Sequence, residues 1–158
     1  SGELDEALRL RREEQLPVFE RLGDRDGIAK CRFEFARIAV ARGIDSAETL
    51  QQVLEDLAES FRLLQQLGRA DGLVAVGDLL AQALVAAGGG EQAATVLEIA
   101  ATAADRLRWH DQAAAFRQRI DALRQGDDRA DPGTAPPSTE ARTGLAEDPP
   151  ADGDPERA

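Results

Sequence analysis

Three stretches of this chain align without a gap: "RLGDRDGIAKCRFEFARIA" from Arg21, "QLGRADGLVAVGDLLAQAL" from Gln66 and "RLRWHDQAAAFRQRIDALR" from Arg106. Leu22, Leu67 and Leu107 coincide, then Asp26, Asp71 and Asp111, then Phe35, Leu80 and Ile120, at offsets of 45 and 40 residues. A pattern that returns at this period belongs to stacked copies of one small unit, none of which can bury its apolar face alone.

The periodicity inside and between the copies predicts six helices. The first spans about Glu3 to Leu22, with Leu4, Ala7, Leu8, Val18 and Leu22 among its apolar positions. The second starts at Asp26, a residue whose carboxylate can accept from the free amides of a first turn, and carries Ile28, Cys31, Phe35 and Ile38 at helical spacing. The third runs from about Asp45 to Leu67, the fourth from Asp71, the fifth from about Glu91 to Leu107 and the sixth from Asp111. Gly-containing breaks such as "LGDRDG" and "AAGGGE" end helices and make neighbours antiparallel. Pro17 falls inside the first helix, where a missing N–H predicts a kink. Nothing alternates with the period of a strand, so the fold class is all-α. From residue 126 to 158 the chain changes character, with six of the seven prolines and Leu145 as its one large apolar residue. Such a segment cannot bury enough apolar surface to offset chain entropy, which predicts a disordered acidic tail after a helical domain of residues 3–125. Leu145 is also the one place in it where a short docking peptide would centre.

Charge narrows the partners. Between Asp127 and Ala158 there are 9 acids and 3 bases, against 21 and 16 in the rest of the chain, for a net charge of −11. A helical part this near balance lacks the surplus of cations that nucleic acid requires. No apolar run approaches the length of about 18 residues that a membrane helix needs. A lone Cys31 excludes an internal disulfide, and with no Met in the chain the expectation is that Ser1-Gly2 is either a cloning scar or the cut point of a fragment. The bases are Arg everywhere except Lys30, which together with abundant Ala is a compositional sign of a GC-rich bacterial genome. The expected compartment is the cytoplasm.

The copies also resemble the tetratricopeptide repeat (TPR) family, in a long-repeat bacterial variant. "GELDEAL" from Gly2 looks like that family's turn into a second helix. Phe35, Ala36, Ala39 and Gly43, and again Leu80, Ala81, Leu84 and Gly88, are similar to its large-small pair followed by a helix-ending Gly. "LPVFERLGD" from Leu16 resembles helix ends in long bacterial arrays. The likeness covers Gly2 to Gln125 and fades in the third copy, where Asp121 and Arg124 replace packing residues, as in a polar capping helix. It implies an α-solenoid fragment entered on a second helix, with at least one more helix upstream.

By resemblance, such arrays hold peptides or helices on a concave face, here built by the second, fourth and sixth helices. The residues beside their buried stripes are Lys30, Phe33 and Arg37, then Asp78 and Gln82, then Gln118. Lys30, Phe33 and Arg37 share one face at spacings of three and four, and two cations around an aromatic suit an acidic or C-terminal peptide. They equally suit an ordinary solvated groove. The family's carboxylate clamp of Lys, Arg and Asn cannot exist as such in a chain without Asn. His110, the sole His, lies beside Trp109 in what reads as a loop, and Cys31 reads as a buried small hydrophobe. Glu55, Asp56 and Glu59 alternate with an apolar stripe and read as the solvent face of the third helix, not as a metal site. The expectation is a non-catalytic, cofactor-free scaffold module of a larger bacterial protein that binds a protein or peptide partner. The alternatives are an array regulating an enzyme or ATPase domain outside the fragment, and self-association through the exposed first helix.

Overall fold

The computed structural model describes residues 2–129, which form helices and no strand. In chain order these are α1 (Gly2–Leu10), a π turn (Arg11–Gln15), α2 (Leu16–Leu22), α3 (Arg25–Arg42), α4 (Ala47–Leu67), α5 (Ala70–Ala86), α6 (Gly90–Arg106) and α7 (His110–Arg129). Because α1, the π turn and α2 are continuous, they make the first of the six expected helical runs. Contacts divide the chain into Ser1–Arg124 and Gln125–Ala158, and the helices pack together within the first unit. α7 continues through Gly126 to Arg129; a helical Gly weakens a helix by about 1 kcal/mol without removing a backbone hydrogen bond. Leu145 and the rest of the expected tail beyond Arg129 lie outside the described residues.

The copies end their helices alike. Gly23, Gly68 and Arg108 have φ of 69°, 68° and 67°. At each, the αL residue and the one after it donate back to the last turn: Gly23 to Glu20 and Asp24 to Phe19, Gly68 to Gln65 and Arg69 to Leu64, Arg108 to Asp105 and Trp109 to Ala104. This closure satisfies carbonyls that a helix end would otherwise leave bare. A different turn, from Gly43 to Ser46, reverses the chain between α3 and α4, so that late α4 lies beside early α3, where the Ser60 hydroxyl donates to the Ala29 carbonyl at 2.8 Å.

Asp26 does not cap α3. The cap is Asp24, whose side chain accepts from the Gly27 N–H at 2.9 Å, because the residue just after the αL Gly23 is the one facing the open amides. Asp26, Asp71 and Asp111 are each the second residue of their helix, so the alignment of the copies holds even though the capping assignment does not.

Phe35, Leu80 and Ile120 are all buried, as their shared register requires. One core cluster runs from Ala29 on α3 to Ile120 on α7. A second, smaller cluster joins Leu16, Cys31 and Phe35, with Leu8, Phe19 and Ile28 packed on it. Small residues set the helix spacing: a Cβ on Gly77 of α5 would stand 3.0 Å from the Ala100 Cβ on α6 and 3.1 Å from the Phe61 ring. Val18 and Leu22, among the apolar positions of the first helix, are exposed. The cause lies before Pro17, whose ring crowds the carbonyl four residues back. The backbone widens there into a π turn, in which the Leu16 N–H reaches the Arg11 carbonyl, and the phase of the helix shifts by one residue. Among the described residues no helix is long and apolar enough to cross a membrane.

Candidate functional site

With Asp24 occupied at the cap, the Asp26 carboxylate is available for longer-range work. It pairs with Lys30 one turn on at 2.9 Å and with Arg69, the residue before α5, at 2.8 Å. Hydrogen bonding from Lys30 first, opposed by burial and reinforced by Arg69, holds the Asp26 carboxyl below the usual carboxylate range. One residue thus ties the start of α3 to the start of α5.

Above this tie lies a cleft of about 340 Å³ between α3, α4 and α5. Ala29, Phe33, Leu64, Ala75 and Val76 line it, with Asp26, Lys30, Arg69 and Asp71 supplying charges of both signs. A second cleft, of about 440 Å³, lies on the other side of α3, against Arg11, Gln15 and Phe19. Lys30 and Phe33 line both, so together they form the ridge between the two clefts. Phe33 is half-buried and packs on the core, whereas the Lys30 side chain is largely in solvent.

Arg37 lines neither cleft; it is exposed and pairs with Glu34 at 2.5 Å. Asp78 accepts from Gln82 at 3.2 Å and pairs with Arg119 of α7 at 2.6 Å. Gln118 is exposed beside Arg119. The expected residues therefore form two groups, Lys30 with Phe33 on α3 and Asp78 with Gln82 on α5. Among the described residues, no hydrogen bond or ion pair joins the groups. His110 is the first residue of α7, not a loop residue, and is exposed with Nδ1 3.6 Å from Asp105. Burial keeps Cys31 inert by pushing its thiol pKa up.

Asp56 overturns the reading of α4's acidic residues as a solvent face. It is 1 % exposed and pairs with Arg12 at 2.8 Å and Arg32 at 3.1 Å, with Gln52 donating at 3.4 Å. The Arg12 guanidinium also lies 4.1 Å from the centre of the Phe35 ring, a cation–π distance. A buried carboxylate needs such partners, and here they bind the π turn, α3 and α4 at one point. The Arg32 Nε is buried with no hydrogen-bond partner. Glu55 does face solvent, and Glu59 pairs with Arg62, which lowers its pKa. The signal for Asp56 was its spacing, three residues after Val53 and seven before Leu63, both buried.

No protein-family model, no curated protein and no solved structure matches the chain.

Proposed function

We propose that the chain is a non-catalytic, TPR-like scaffold that holds a peptide or helix of a partner protein along the face of α3, α5 and α7. The observation that carries this reading is the cleft beside Phe33, with apolar walls deep enough for one side chain and both signs of charge at its rim. Recognition of that kind needs an apolar anchor and a few placed polar groups. Lys30 and Arg37 are each paired with a neighbouring carboxylate, but both are exposed. Such surface pairs contribute about 0–1 kcal/mol, so an acidic ligand can exchange with Asp26 and Glu34.

Selection of a displayed peptide library on the full chain tests the proposal. Peptides with an apolar residue next to an acidic one are the expected winners. Phe33→Asp and Arg37→Glu should each weaken them about tenfold or more, given about 1.5–3 kcal/mol for a charge-assisted bond. An empty selection, or winners that bind both variants as tightly as wild type, would remove this face from consideration.

A further inference from the structure

The cleft between α3, α4 and α5 owes its room to two small residues of α5, Gly72 and Val76. The residues aligned with them one copy on are Gln112 and Phe116. Phe116 is fully buried, so the bulk that the cleft lacks is present in the next copy. Ser60 is the one buried polar residue of the lining, and its hydroxyl is spent on the Ala29 carbonyl at 2.8 Å. The interior therefore suits an apolar group and has no open hydrogen bond to offer it.

Of the four charged residues in the lining, three are spent on one another. Asp26 gives one carboxylate oxygen to each cation, Oδ2 to Lys30 Nζ at 2.9 Å and Oδ1 to Arg69 Nη2 at 2.8 Å. Asp71 stands apart. It is exposed and makes no ion pair or side-chain hydrogen bond among the described residues. The copies show why: Asp71 aligns with Asp26, but the residues aligned with Lys30 and Arg69 are Ala75 and Trp109. The same carboxylate recurs without either of its partners. In the first turn of α5 it also meets the positive end of the helix, an effect present with or without a ligand.

We infer that the peptide held in this cleft carries a base as well as an acid, one on each side of its apolar residue, and that Asp71 selects the base. The inference rests on the peptide-binding reading above. A ligand acid that takes Lys30 from Asp26 leaves the rim with two cations against three carboxylates, its own included. A Lys or Arg beside Asp71 restores the balance, whereas a second acid there meets a like charge. Lys30 belongs to the α3 wall and Asp71 to the α5 wall, so the acid of the ligand points towards α3 and its base towards α5. The net charge of −11 favours the same ligand, because a wholly acidic peptide approaches a chain of its own sign.

The test is a displayed peptide library, randomised on both sides of a fixed leucine and selected on the full chain. Winners with an acid on one side and a Lys or Arg on the other are expected. At low salt, Asp71→Asn should weaken the synthesised winner about two- to fivefold, the range for an exposed pair. The winner with its base replaced by alanine should bind wild type and Asp71→Asn alike, a cycle that cancels what Asp71 does for its own helix. Selected on Asp71→Arg, the same library should return an acid where the base stood. If Asp71→Arg loses its helical circular dichroism, Asp71→Asn, of unchanged size, carries the test. Winners that need Phe33 but bind wild type and Asp71→Asn alike overturn this inference and leave peptide binding standing. An empty selection on wild type overturns both.

Discussion

Arg108 holds, at φ 67°, the left-handed conformation that Gly68 holds at φ 68° one copy earlier. An L side chain in that conformation costs about 1–2 kcal/mol, while glycine adopts it freely. The Arg108 side chain makes no hydrogen bond or ion pair among the described residues that would offset this. Arg108→Gly should therefore raise stability by about 0.5–1 kcal/mol after the extra freedom of glycine in the unfolded chain is subtracted. Chemical denaturation reads it directly; a loss of stability would mean that the arginine packs on the start of α7.

Leu80 occupies the position shared with Phe35 and Ile120 and is buried. Leu80→Ala should lower stability by about 2–5 kcal/mol, the range for buried leucines. A change below about 0.5 kcal/mol would place Leu80 outside a well-packed core and break the equivalence of the copies.

Asp56 is the site where removing one group should matter most for its size. Asp56→Asn leaves Arg12 and Arg32 without their counterion, and both are partly buried. A loss of about 2–3 kcal/mol is expected, below the range for wholly buried pairs because water reaches the guanidinium groups. Pairing Asp56→Val with Arg32→Met should recover part of it, since two mutually compensating charges leave together. A double variant worse than the sum of the singles would contradict this.

These sites differ in how far they can be read from the residues alone. Phe35, Leu80 and Ile120 were legible because a period is a property of the sequence itself. Asp56 was legible only in its spacing from Val53 and Leu63, because a carboxylate on a helix is solvent-facing by default and its partners stand 44 and 24 residues away. Asp24 and Asp26 are both good caps, and only the left-handed turn at Gly23 decides between them. The π turn before Pro17, which shifts the helical phase ahead of Val18 and Leu22, has no marker in the sequence beyond that proline. Within the candidate site, the face shared by Lys30 and Phe33 followed from their spacing. The cleft and the Arg69 tie needed a second copy of the unit beside the first.

Asp26 makes a pH-dependent contribution. Its pKa is lowered in the folded protein by Lys30 and then Arg69, so the unfolded chain takes up its proton first as pH falls. The stabilisation is complete above the ordinary carboxylate pKa, near 3.8, and declines below it until the folded group protonates. In urea titrations, the wild-type midpoint should therefore fall faster than that of Asp26→Asn once the pH drops below about 4. Parallel curves would indicate that the two ion pairs contribute nothing net.

Cys31 offers a probe of how independently the first helix opens. It is buried under Leu16 beside Phe35, in a cluster separate from the main core. That small cluster and the ion pairs Arg12–Asp56 and Arg42–Asp5 tie the run from α1 to α2 to the rest. Such an attachment should open at a lower free energy than global unfolding, since local stability follows local burial. A thiol reagent should therefore label Cys31 in native buffer faster than global unfolding permits, while far-UV circular dichroism stays nearly native. Leu16→Ala should speed the labelling about 30-fold or more, as a truncation worth about 2 kcal/mol or more in the opening equilibrium would. Val18→Ala, on the outer side of the same helix, should leave the rate within about threefold, because an exposed side chain contributes within about 0.5 kcal/mol. Labelling of wild type and Leu16→Ala only at the rate of global unfolding would show instead that the first helix and the main core form one cooperative unit.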